Sequence, residues 1–345
     1  MNNSNLLQQI SNSIMNASAV TSPALAYGAG LSVMSTLVGR RYCVPNIGLS
    51  PEMDDEPLVV SQSVIMVGAS GTGKGNTVGA AQTLLKAVDP NYPLYAGFST
   101  REVLWRKGTT EQPLLIIENL QLPELKDLWE KACKQPDGKE AVLLNLITEK
   151  VMPICRPFAS KQAGSPQYAL PSPLTIMAET DESALYQMQQ PDTAFSNEFF
   201  NSFLLVSSDI ELLKNFNGLW RELGSVPHTP ANLIDELKAM YEVRHSSEQV
   251  LVQVEEEAQK FFRTILRKAT LSDAAEMIRY QVLNTAALIA IGNSRGQPII
   301  TTSDMTTAAM IGLAGCELAR VSLADYKGLL PISGEILELG GWGKN

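Results

Sequence analysis

One stretch constrains this chain more than any other. Residues 64–79 read VIMVGASGTGKGNTVG. The apolar run Val64–Val67 enters a glycine-rich turn, and a helical pattern from Lys74 to Val88 leaves it. A strand that passes so abruptly into a helix needs backbone conformations that a Cβ atom obstructs, which is what glycine supplies. Gly68, Gly73 and Lys74 stand at the spacing G-x-x-x-x-G-K, and the residues between them, Ala69, Ser70, Gly71 and Thr72, are all small. Such a loop turns successive backbone N–H groups inward around an anion. The following helix, opening at Lys74, Gly75, Asn76 and Thr77, adds its N-terminal donors and its dipole, and Lys74 adds a point charge for terminal phosphates. Residues 68–77 are therefore the candidate binding segment for ATP.

The pattern is that of a Walker A loop with one departure. The residue after the lysine is Gly75, where such loops carry the Ser or Thr hydroxyl that ligates Mg2+. Thr77, two residues on, is the candidate substitute ligand. A second element should be an apolar strand ending in an acid, and Leu114–Ile117 followed by Glu118 and Asn119 fits it. Glu118 is assigned the magnesium role. Asn119 stands where a second carboxylate often activates water, and an amide orients water without accepting its proton. Lys74, Glu118 and Asn119 are thus the candidate catalytic set. The strand Leu174–Ala178 runs into Glu179, Thr180 and Asp181, and Thr180 is the candidate sensor of the terminal phosphate.

Around this centre, short apolar runs alternate with helical stretches. The runs are 64–67, 93–98, 114–117, 174–178 and 203–206, and the helical stretches include 74–88, 124–134, 139–148 and 182–189. Strands alternating with helices indicate an α/β layer with a mostly parallel sheet. Residues 1–22 carry Leu6, Leu7, Ile10 and Ile14 at helical spacing, a short amphipathic helix suited to binding a protein partner. Residues 23–40 read as a second, apolar helix, too short and too glycine-broken for a membrane span. Residues 44–58 hold three prolines and an acidic run and read as a loop. Past residue 209 strand signals fade; 230–268, 272–292 and 303–326 read as helices, with Ser303 as the N-cap of the last. The implied organisation is an N-terminal helical segment with linker (1–58), a nucleotide-binding core (59–210), a C-terminal helical domain (211–327) and a Gly-rich tail (328–345).

Composition narrows the class. The chain of 345 residues has a formal net charge of −9 and is 18% charged. An acidic chain does not coat duplex DNA or anionic lipid. Its low charge content fits a subunit whose flanks are covered by neighbours. The four cysteines lack any C-x-x-C spacing and the two histidines, His228 and His245, lack ligand spacing. Scattered thiols of this kind suit a reduced, cytoplasmic setting and exclude a disulfide scaffold.

With these motifs in place, the order of features resembles the RecA-like P-loop ATPase and helicase modules of phage, plasmid and mobile-element primase–helicases. The likeness is one of layout over residues 23–325: an apolar helix ending Gly39-Arg40-Arg41, the glycine loop, LLIIEN (114–119), PSPLTIMAETDESALYQ (171–187), NEFFNSFLLVSS (197–208) and the helix near ITTSDMTTAAM (300–310). The resemblance implies a RecA-like P-loop NTPase core, ATP and Mg2+ as cofactors, a homo-oligomer with a hexameric ring favoured, and helicase- or translocase-like work on single-stranded DNA. It also implies an arginine near Ser202 reaching a neighbouring subunit's nucleotide. Here that place holds serine, which leaves Arg221, Arg244, Arg263 or Arg295 for the role. Residues 151–172, with Arg156, Phe158, Lys161 and Tyr168, suit a pore loop for such a strand. The departures at Gly75, Asn119 and Ser202 sustain a second expectation: a weakly hydrolysing or inactive nucleotide-binding assembly protein within a secretion, packaging or defence complex.

Overall fold

The computed structural model of the chain describes residues 5–96, 114–117, 156–158, 167–169, 175–188, 203–208, 232–244, 249–269, 275–294 and 296–319. It opens with α1 (Leu6–Ala17), capped by Asn5, whose side-chain oxygen accepts the Leu7 N–H at 2.8 Å. The stripe Leu6, Leu7, Ile10 and Ile14 is buried, largely against α2 (Pro23–Val38). The apolar face expected to dock a partner is thus packed within the chain itself. Ser22 caps α2 by accepting the Leu25 N–H, and Pro23 fills the first helical position, where the missing N–H costs nothing. Residues 24–38 of α2 are all buried. Gly28 lets the helix down onto the central sheet, where an added Cβ would meet Val206 and Val64 at 3.1 and 3.2 Å. The apolarity of α2 is thus that of an internal helix. Among the described residues no helix is long and apolar enough to cross a membrane.

Residues 44–58 are not simply a loop. β1 (Tyr42–Asn46) pairs antiparallel with β2 (Asp55–Val59) around a single 3-10 turn at Pro51–Met53. The prolines are placed where a sheet tolerates them. Pro45 sits at an irregularity between Val44 and Asn46, and Pro57 lies on the edge strand of its small sheet.

The central sheet begins with β3 (Ser63–Val67), which feeds α3 (Lys74–Val88). β4 (Leu94–Ala96) and β5 (Leu114–Ile117) follow. The segment expected as a long loop contains a two-stranded antiparallel ladder, β6 (Arg156–Phe158) with β7 (Gln167–Ala169). Then come β8 (Thr175–Thr180), α4 (Glu182–Met188) and β9 (Phe203–Ser207). The five strands lie in the order β4-β5-β8-β3-β9 and every pairing is parallel. The α/β class with a parallel sheet therefore holds. β3 and β9 are buried along their whole length, which is why they read as unbroken apolar runs instead of alternating ones.

After α5 (Leu233–Val243) the structure departs from one continuous helix over 230–268. β10 (Val250–Leu251) adds parallel to β1, and β11 (Gln253–Val254) pairs parallel with β12 (Ile299–Ile300), before and after α6 (Glu256–Ala269) and α7 (Ala275–Asn293). The run Val250-Leu251-Val252-Gln253-Val254 favours extension through its β-branched residues, and the open edge of β1 settles the choice. The last described helix, α8 (Thr302–Ala319), is capped by Thr301, not Ser303. Asp304 accepts the Thr301 N–H and hydroxyl at 3.0 and 2.8 Å, while Thr301 Oγ1 accepts the Asp304 N–H at 3.2 Å, a reciprocal capping box. Asp304→Ala is expected to destabilise the fold by about 1–2 kcal/mol, read from the urea midpoint. Gly315 of α8 meets the Leu205 backbone, so this helix packs on β9. Buried apolar side chains from Leu6 to Leu318 form one continuous cluster. Packing runs across the changes of sequence character at residues 58 and 210.

Candidate functional site

The sheet order places a crevice at the β3–β8 boundary. From β3 the chain passes to β4, beyond β8 and β5; from β8 it passes to β9, on the far side of β3. Adjacent strands whose connections diverge open a crevice at their carboxyl ends, where open α/β sheets bind ligands. A cleft of about 570 Å³ lies there, lined by Ser70, Gly71, Gly73, Lys74, Gly75 and Asn76 on one wall and by Glu179, Thr180 and Asp181 on the other.

The loop between β3 and α3 is anchored at its root to both neighbouring strands. The Gly68 N–H donates to the Thr180 carbonyl at 3.2 Å, and the Ser208 N–H donates to the Val67 carbonyl at 2.8 Å. Gly71 and Gly73 have φ of 84° and 92°, the left-handed region that side chains disfavour. Within the turn, Thr72 Oγ1 donates to the Ala69 carbonyl at 2.8 Å. Lys74 Nζ donates to the same carbonyl at 2.9 Å and to the Gly68 carbonyl. The lysine thus closes the loop over its own carbonyls. Helix geometry leaves the N–H groups of Lys74, Gly75 and Asn76 without an intrahelical acceptor, whereas the Thr77 N–H already donates to Gly73 at 2.9 Å. Orphaned amides, an ammonium group and the positive end of a 15-residue helix converge on one wall.

The opposite wall is acidic. Register pairs Met66 with Glu179 and Val67 with Thr180, so these residues stand level with the end of β3. Asp181 caps α4, its Oδ1 accepting from Ser183 Oγ and the Ala184 N–H, both at 2.7 Å. Those hydrogen bonds, with the Lys74 charge as a smaller contribution, hold the Asp181 carboxyl below its ordinary range. Glu179 and Asp181 were not among the residues selected from the sequence. Their place in the cleft depends on β8 lying next to β3, which chain order alone does not reveal.

A strap that the sequence did not announce closes one side. Between α1 and α2, Ser18 Oγ donates to the Asn76 carbonyl at 3.4 Å and the Thr21 and Thr77 hydroxyls are 2.6 Å apart. The Val20 carbonyl lies so close to Gly73 that an added Cβ would overlap it.

The structure brings Ser70, Gly71, Gly73, Lys74, Gly75, Asn76 and Thr180 to the cleft, and Gly68, Ala69 and Thr72 to the loop behind it. It does not bring Thr77. That hydroxyl is buried, donates to the Gly73 carbonyl at 2.8 Å and meets Thr21, so it faces the strap and not the cleft. As a magnesium ligand it would first have to leave these two partners. β5 ends with Ile117 opposite Ala178, one strand removed from β3; Glu118 and Asn119 lie outside the described residues, as do Lys161, Ser202, Arg221 and Arg295. Two of the arginines weighed for an intersubunit role have internal partners. Arg263 forms an ion pair with Asp54 at 2.7 Å, and the Arg244 guanidinium stacks 3.3 Å over the Tyr241 ring. Tyr241 in turn donates to Asp89 at 2.7 Å; burial first, then this bond, push its hydroxyl up to about 12. Among the described residues no three His, Cys, Asp or Glu side chains converge as a metal cage.

No protein-family model matches this chain, and no curated protein matches it.

Proposed function

We propose that this chain is a P-loop protein with a RecA-like core that binds ATP and hydrolyses it as a subunit of a homo-oligomeric ring. The observation that carries the reading is the cleft at the β3–β8 boundary, where Lys74 and the orphaned amides of α3 face a single ligand-sized space. Its volume lies within the range of roughly 300–1,000 Å³ usual for small-molecule sites. The donor set is that of an anion site: amides, an ammonium group and a helix dipole. A monoanion needs fewer donors, so the arrangement suits a polyphosphate chain laid along the loop. In this reading the loop amides fix the inner phosphates and Lys74 steadies the outer one. Thr180, level with the end of β3, is in this reading the sensor of the terminal phosphate. Magnesium, when bound, would neutralise phosphate charge and polarise the terminal group.

The ring, the single-stranded DNA substrate and the helicase- or translocase-like motion rest on the resemblance in layout, with the β6–β7 hairpin as the segment offered to the strand. A second reading is favoured by Gly75, which lacks the loop hydroxyl: a nucleotide-stabilised assembly protein with slow or no turnover. One experiment addresses both. The full chain, sized in solution, is assayed for ATP binding by calorimetry and for hydrolysis with and without single-stranded DNA. Binding, with turnover of about 1 s⁻¹ or more stimulated by the strand, is the expected result. Binding that raises the melting temperature without turnover selects the assembly reading. Absence of ATP binding overturns both.

A further inference from the structure

The cleft presents an electrostatic problem that its own residues answer. A polyphosphate held by the loop amides would lie across from the carboxylates of Glu179 and Asp181, and like charges this close in a partly enclosed site repel strongly. Asp181 is engaged: its Oδ1 holds the first turn of α4 through Ser183 and Ala184. Glu179 is placed over the nucleotide loop itself. It reaches over the first turn of α3, and among the described residues outside that turn its Oε2 is the one atom within 4 Å of a Cβ built on Gly75, at 3.9 Å. A serine at position 75 would carry its hydroxyl about 1.4 Å beyond that Cβ, a single-bond length. The carboxylate therefore occupies the neighbourhood that the loop hydroxyl serves in G-x-x-x-x-G-K-[ST] sequences, where that hydroxyl ligates the metal. Gly75 leaves the room, and Glu179 on the adjacent strand extends into it. Mg2+ needs only one or two carboxylates when phosphates and water complete its octahedron.

We propose, on the reading that the loop binds ATP, that Glu179 is the metal ligand of this cleft and that the missing hydroxyl at position 75 has been replaced by this strand carboxylate. The charge conflict and the missing ligand then have one solution, since a divalent cation bridging Glu179 and the phosphates removes the repulsion and supplies the contact. A consequence is that ATP and metal are coupled more tightly than in a loop with a neutral hydroxyl: without the cation, the Glu179 carboxylate opposes the nucleotide.

The test is the magnesium dependence of ATP affinity, measured by calorimetry on the full chain in excess Mg2+ and in EDTA. Wild type is expected to bind at least about ten-fold more tightly with Mg2+. Glu179→Gln is expected to bind metal-free ATP as well as or better than wild type, and to lose most of the magnesium enhancement. Retained binding in EDTA certifies that the variant is folded. Adding Gly75→Ser to Glu179→Gln is expected to restore part of the enhancement by returning a hydroxyl to the same space. Mn2+ in place of Mg2+, followed by electron paramagnetic resonance with ATP present, should show the protein-bound ion in wild type and its loss in Glu179→Gln. A Glu179→Gln variant with undiminished magnesium enhancement and an unchanged Mn2+ signal overturns the inference while leaving the ATP-binding reading intact. Failure of wild type to bind ATP with or without metal overturns the reading on which it rests.

Discussion

Gly73→Ala is expected to destabilise the protein by about 2–5 kcal/mol, the largest stability effect at any loop position. Two costs add. The backbone at Gly73 sits at φ 92°, where a side chain is strained. A Cβ there would also overlap the Val20 carbonyl and crowd the Thr21 amide, and backbone cannot swing aside as a side-chain terminus can. The two neighbouring glycines separate these costs. Gly71 has φ 84° but, among the described residues, nothing within 4 Å of an added Cβ, so Gly71→Ala should show the strain alone, about 1–2 kcal/mol. Gly75 lies inside the helix with ordinary backbone and, among the described residues, Glu179 Oε2 alone near an added Cβ, so Gly75→Ala should be neutral or stabilising by up to about 1 kcal/mol. Urea denaturation of the three variants reads the order directly. Equal losses at positions 71 and 73 would show that the strap does not bear on the loop.

Lys74→Ala is expected to weaken ATP binding by about 100-fold or more, on the proposed function. Charge-assisted hydrogen bonds contribute roughly 1.5–3 kcal/mol each, and the ammonium group has a second task in drawing the Gly68 and Ala69 carbonyls to one point. Removing it takes away the phosphate partner and loosens the shape of the loop together. Calorimetric titration measures the first effect. The second should appear as a stability loss of about 1 kcal/mol, small enough that a folded variant remains for the titration. Lys74→Ala with unaltered ATP affinity would refute the reading of the loop as a phosphate cradle.

The elements that local pattern specifies were legible before any tertiary information. β5 and α3 begin and end where the apolar run and the helical pattern do, and the other central strands differ from their runs by at most two residues at either end. The misreadings share a cause. Residues 250–254 are extended because the edge of β1 is available to them, and residues 42–46 and 55–59 pair in spite of two prolines because bulge and edge positions tolerate proline. The stripe of α1 was visible, but periodicity states only that a face is apolar, not whether a partner or the same chain covers it. Thr77 shows the same limit. It is the first hydroxyl after Gly75, yet two helical positions, about 200° at 3.6 residues per turn, carry it round to Thr21 on the strap.

What the sequence determined by itself is the loop, with its strand, its glycines at the positive-φ positions and its lysine, because backbone sterics and charge act over a few residues. What only the tertiary structure decided is what faces that loop. Placing β8 beside β3 sets Glu179 and Asp181 across from Lys74, although more than a hundred residues separate them in the chain. Packing α1 and α2 against α3 brings the 18–22 strap onto Gly73 and Thr77. Both depend on strand order and on the burial of apolar faces, long-range outcomes of the whole core that no local spacing encodes.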